Sequence, residues 1–67
     1  MEDEIKEEID QIFNNSFNVD FIRKDVYSIS LPKQPTRKIF FIYNRKSTFD
    51  FNISQLQNLI IKLLIPK

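Results

Sequence analysis

The first apolar residues of the chain recur at helical spacing. Ile5, Ile9, Ile12 and Phe13 fall at i, i+4, i+7 and i+8, one stripe of an α-helix, and acids fill most of the remaining faces. Acids in the first turn suit the positive end of the helix dipole, and Glu2 and Lys6 stand at i,i+4 pairing distance. This pattern predicts a helix over residues 2–14. Asn14-Asn15-Ser16 ends it, because Asn tolerates the left-handed conformation that Gly usually supplies.

The period then drops to two. Phe17, Val19 and Phe21 alternate with Asn18, Asp20 and Ile22 in what reads as an extended lead-in. Over residues 25–31 the alternation is cleaner: Tyr27, Ile29 and Leu31 on one face, Val26, Ser28 and Ser30 on the other, as in a half-buried strand. Pro32 and Pro35 bracket a connection over 32–36, since neither has a backbone donor to continue a ladder. Residues 38–43 are β-branched or aromatic after Lys38, and apolar on both faces (Ile39, Phe41, Tyr43 against Phe40, Ile42). That composition predicts a central strand covered on both sides.

Asn44-Arg45-Lys46-Ser47 reads as a turn, and residues 48–51, with Phe49 and Phe51 on one side, as a short third strand. Ser54-Gln55-Leu56-Gln57 fits a capping box. Leu56, Leu59, Ile60, Leu63 and Leu64 follow at helical spacing, and Pro66 stops that helix.

The whole chain, 1–67, is therefore expected to be one α+β domain in the order helix–strand–strand–strand–helix. Short connections favour an antiparallel three-stranded meander, and one apolar stripe per helix places both helices on one face of it. Phe40, Ile42, Ile61 and Ile65 remain uncovered in that arrangement. Burying all four would contribute roughly 8 kcal/mol, comparable to the entire stability of a small domain. Association through these residues is the expectation.

Composition removes most chemistry. The chain contains no Cys, His, Gly or Trp. Disulfides, thiol nucleophiles, ordinary zinc sites and Gly-rich phosphate loops are thereby excluded. Beyond Glu8 the only acids are Asp20, Asp25 and Asp50, too few and too scattered for a carboxylate-based metal or glycosidase site. A basic ribonuclease on Lys38, Tyr43 and Arg45 is the one catalytic arrangement left. No catalytic residue, metal, cofactor or small-molecule ligand is assigned, and a non-enzymatic chain is expected.

Charge is segregated. Residues 1–20 hold seven acids and one base, and residues 21–67 hold nine bases and two acids. Such a dipolar surface can steer a charged partner. The longest apolar run, Leu63-Leu64-Ile65, is far shorter than the ~20 residues needed to cross a bilayer. The second helix has only Lys62 before Lys67, so it lacks the basic face of a membrane-surface helix. The acidic start is unlike a secretory signal, and a cytoplasmic location is expected.

The element order resembles that of the double-stranded RNA-binding domain in outline. That family carries lysines at the start of its second helix, where this chain has Ser54-Gln55-Leu56-Gln57-Asn58, and it uses a Gly-containing loop that is missing here. No residue is carried over from it. The usage of Asn, Ile, Lys and Phe suits an AT-rich genome.

These observations point to a protein-binding module, a small inhibitor or adaptor from a phage or mobile element. It would associate with another protein, or with itself as a homodimer, through Phe40, Ile42, Ile61 and Ile65. The alternative is a nucleic-acid-binding protein. It would use Arg23, Lys24, Lys33, Arg37, Lys38, Arg45 and Lys46 on loops and strand ends, with Phe40 and Tyr43 as stacking faces.

Overall fold

In the computed structural model of the chain, which describes residues 4–65, five elements follow one another. They are α1 (Glu4–Ile12), β1 (Asn18–Arg23), β2 (Val26–Leu31), β3 (Gln34–Ile42) and α2 (Phe49–Leu64). The strands form one antiparallel sheet in the order β1-β2-β3. This is the expected α+β meander; β2 and β3 come from expected strand segments, and β1 takes the place of the strand expected over residues 48–51.

Cross-strand register sorts the sheet into two faces. Val19, Ile29 and Ile39 form one row, and Phe21, Tyr27 and Phe41 the next, on the face toward the helices. Val19, Tyr27, Ile29 and Phe41 are buried there with Ile9 of α1 and Ile53, Leu56, Ile60 and Leu63 of α2. Both helices thus share one face, α1 over β1 and α2 over β3. The outer face carries the rows Asn18–Ser30–Lys38, Asp20–Ser28–Phe40 and Arg23–Val26–Ile42.

Three sequence expectations change. The lead-in over residues 17–22 contains β1, an edge strand whose alternation places Val19 in the core. Residues 38–42 belong to the other edge strand, not a central one; β2 is central, and the outward Phe40 and Ile42 lie open, as the count of uncovered residues expected. The third strand over 48–51 is absent. Thr48 is instead the N-cap of α2, its hydroxyl accepting from the Phe51 N–H at 3.1 Å. Phe49 and Phe51 alternate only in sequence. On the helix Phe49 joins the stripe of Ile53, Leu56, Ile60 and Leu63, whereas Phe51 projects beside it and is half exposed. The capping box at Ser54 is overturned for the same reason, since Ser54 lies inside α2.

The connections are tighter than the prolines suggested. Leu31 pairs with Gln34 across a turn at Pro32 and Lys33. The next paired residues are Ser30 and Lys38, so Pro35, Thr36 and Arg37 form a bulge of β3 outside the ladder. Pro35, without a donor, is tolerated there.

With no glycine available, Asn and Asp take the left-handed positions: Asn14 (φ 55°), Asn15 (φ 57°) and Asp25 (φ 65°). The Asn15 N–H donates to the Asp10 carbonyl (2.7 Å) and the Asn14 N–H to the Gln11 carbonyl (3.1 Å). This is a Schellman ending, with Asn14 where Gly is usual. Helix α1 closes as expected. The expected Glu2–Lys6 pair lies outside the described residues, as does Pro66. Lys6 pairs with Asp10 at 2.8 Å.

Candidate functional site

The four predicted interface residues are exposed, but they do not form one surface. Phe40 (62% exposed) and Ile42 (71%) project from β3 on the outer face of the sheet. Ile61 and Ile65 lie exposed at the C-terminal end of α2, which covers the opposite face. Leu64, placed inward by helical spacing, joins them at the surface. The predicted interface residues thus divide between the outer face of the sheet and the end of α2, and Ile12, Phe21 and Ile22 are exposed as well.

The basic residues divide as well. Arg23 and Lys24, in the β1–β2 turn, lie at the same end of the sheet as Arg45 and Lys46, which follow β3. Asp25 sits among them, and Arg45 Nε lies 2.7 and 2.9 Å from its two carboxylate oxygens. Lys33 and Arg37 belong to the opposite end. The Arg37 guanidinium reaches from the bulge to the C-terminal turn of α2 and donates to the Lys62 carbonyl (2.9 Å) and the Ile65 carbonyl (2.8 Å). Those carbonyls lack helical partners, and a cation beside them suits the negative end of the dipole. Lys38 stands beside Ser30 on the outer face. Phe40 and Tyr43 do not form a stacking pair: Tyr43 packs against Phe41 on the helix side, with ring centroids 6.4 Å apart.

The feature that sequence reading missed lies between β3 and α2. A groove of about 550 Å³ runs along the outer margin of β3, with Phe40, Phe41 and Ile42 on one side and Phe51, Gln55, Leu59 and Lys62 of α2 on the other. Asn44 and Asn52 close one end. The buried Asn52 amide accepts from the Asn44 N–H (2.8 Å) and donates to the Asn44 carbonyl (2.9 Å) and the Thr48 carbonyl (2.9 Å). One side chain thereby occupies both backbone groups of Asn44, as a neighbouring strand would. Asn44 Oδ1 in turn accepts from the Lys46 N–H (2.9 Å), which holds the turn. The readable signal was a polar residue at the margin of the Phe49–Ile53–Leu56 stripe. It was visible only once α2 was known to start at Phe49.

The groove's β3 wall offers free backbone groups. Along an antiparallel strand, residues alternately bond to the neighbouring strand and face away from it. The Tyr43 N–H donates to the Asp25 carbonyl at 2.7 Å, so Tyr43, Phe41 and Ile39 face β2. Lys38, Phe40, Ile42 and Asn44 therefore direct their N–H and C=O groups to the free edge, and Asn52 occupies those of Asn44. The outer face beyond this margin is less apolar. Its central column is Val26, Ser28 and Ser30, and Asp20 lies one strand away from Phe40.

No group of His, Cys, Asp or Glu among the described residues is placed to hold a metal ion. The Lys6 ammonium is held above its ordinary pKa, chiefly by the hydrogen bond to Asp10. No helix among the described residues is long and apolar enough to cross a membrane. Comparison with protein-family models, with curated proteins and with solved structures finds no match to the chain.

Proposed function

We propose that this chain is a non-catalytic protein-binding module that takes up an extended polypeptide segment along the free edge of β3. The observation that carries the reading is the coincidence of unpaired backbone groups at Lys38, Phe40 and Ile42 with an apolar groove beside them. Strand addition uses these two elements: main-chain hydrogen bonds supply affinity, and side-chain pockets on alternate positions supply specificity. Edge strands in folded proteins are commonly blocked by proline, charge or a covering loop. Between Lys38 and Ile42 this edge has Lys38 alone. The setting that goes with the reading is cytoplasmic, and the role that of a small inhibitor or adaptor, from a phage or mobile element if the composition is a guide.

The nucleic-acid alternative draws less support. Arg37 and Arg45 are engaged within the fold, the bases split between two ends of the sheet, and Tyr43 packs against Phe41 rather than beside Phe40.

Selection of displayed ten-residue peptides against the immobilised domain tests the reading. Peptides with alternating apolar positions should be enriched and should lose binding to Phe40→Pro, which removes the central edge donor. Absence of enrichment, or enrichment indifferent to Phe40→Pro, would count against strand addition. Oligonucleotide binding that weakens by orders of magnitude between about 50 and 200 mM salt would favour the alternative.

A further inference from the structure

The geometry points to a second copy of this chain as the occupant of the edge. We infer an antiparallel β3–β3 pairing, two-fold symmetric about Phe40, that joins two three-stranded sheets into one six-stranded sheet. The inference rests on the protein-binding reading and names its partner.

The register follows from how the edge is bounded. At one end, Asn52 already satisfies the N–H and C=O of Asn44. At the other, residues 35–37 bulge out of the ladder, Pro35 has no N–H, and the Arg37 side chain is committed to α2. The free window is therefore Lys38, Phe40 and Ile42, and its midpoint is Phe40. A two-fold axis through Phe40 satisfies the whole window: Phe40 exchanges both hydrogen bonds with its counterpart, and Lys38 lies opposite Ile42 of the second copy.

Neighbouring registers are worse. Centring on Lys38 sets two ammonium groups opposite each other, which destabilises a pair of strands. Centring on Ile42 runs into Asn44 and its occupied groups. In-register parallel pairing also aligns Lys38 with Lys38. Axes through Ile39 or Phe41 pair only two of the three residues, so the antiparallel arrangement about Phe40 is the one that pairs the whole window without setting Lys38 against Lys38.

Side chains support the same axis. On the outer face the two Phe40 rings meet, each flanked by Ile42 and by the aliphatic stem of Lys38 from the other copy. On the helix side the pairing closes the groove, where Phe51 is half exposed. Phe40, Ile42 and Phe51 together offer on the order of 300 Å² of apolar surface per copy to such a centre. Standard interfaces bury about 800 Å² per partner, so with its polar rim this one falls at the small end and should be concentration-dependent. The serines of the central column explain why the edge, and not the whole outer face, is the contact.

Four variants at three exposed positions test the register. The chain lacks cysteine, so Phe40→Cys introduces a single thiol. Directly hydrogen-bonded antiparallel residues have Cα atoms about 5.5 Å apart, within disulfide range. Mild oxidation should convert Phe40→Cys largely to covalent dimer, at least tenfold faster than Ile61→Cys. Ile42→Glu, facing Lys38 of the second copy, should dimerise tenfold or more tightly than Ile42→Lys by sedimentation equilibrium.

A chain that stays monomeric at millimolar concentration overturns the inference, as does a dimer in which Ile61→Cys cross-links faster than Phe40→Cys. Equal dimerisation of the two Ile42 variants overturns the register. A monomer that still selects extended peptides sinks the dimer alone, whereas one that selects none sinks the protein-binding reading with it.

Discussion

Asn52 and Asn44 are joined by two hydrogen bonds, side-chain amide against backbone, at 2.8 and 2.9 Å. The contact fastens α2 to the end of β3 and takes the place of a paired strand there. Asn52→Ala would leave the Asn44 groups unpaired beside a buried gap. The expected cost is about 2 kcal/mol, seen as a fall in Tm of roughly 10 °C by circular dichroism. Asn52→Asp keeps the acceptor but loses both donors, and should cost at least as much.

The start of α2 can be located by its caps. Thr48→Ala removes the acceptor for the Phe51 N–H and should cost about 1 kcal/mol in denaturant unfolding. Ser54→Ala, an exposed change inside the helix, should stay within about 0.5 kcal/mol of the wild type. The reverse ranking would place the helix start at Ser54.

Arg37 should act on stability. Arg37→Ala frees the Lys62 and Ile65 carbonyls and should cost about 0.5–1 kcal/mol, with faster amide exchange in the last turn of α2. Arg37→Glu should cost more, because it sets an anion against the negative end of the dipole. A loss of oligonucleotide affinity without a loss of stability would assign Arg37 a different role.

Alkaline titration should reveal the Lys6–Asp10 pair. The Lys6 pKa is raised in the folded state, chiefly by its hydrogen bond to Asp10. Its contribution is therefore fully present below the ordinary lysine pKa and is lost as pH rises through the folded value. Stability should not change with pH through this pair near neutrality and should fall above about pH 10. An exposed i,i+4 pair contributes only about 0.3–0.5 kcal/mol, so Asp10→Asn should flatten a shallow slope. An unchanged slope in Asp10→Asn would remove the pair as its source.

Element types and order were legible in the sequence, because periods of 3.6 and 2 follow directly from which side chains are buried. The left-handed Asn14 was legible too, since a chain without glycine must use Asn or Asp at such positions. The errors share one cause. The two apolar faces of residues 38–43 made an edge strand look central, and the alternation of Phe49 and Phe51 was read as a strand, which hid the Thr48 cap. An apolar residue in a sequence does not say whether its cover lies in the same chain. The groove was invisible for a related reason. It depends on α2 beginning at Phe49 rather than Ser54, which puts Phe51 and Asn52 on the helix beside β3.

The meander has a kinetic consequence. Every extensive contact between elements joins neighbours in the sequence: α1 with β1, β1 with β2, β2 with β3, and β3 with α2. Little loop entropy is spent before contacts form, and low contact order of this kind accompanies fast, cooperative folding. The two hairpins can close without either helix, so the β3 margin takes shape before α2 settles alongside. A nascent sheet would then expose its bare edge for a moment on every folding event. Lys38 is the one charge along that window, and its repulsion would oppose in-register parallel stacking of such sheets.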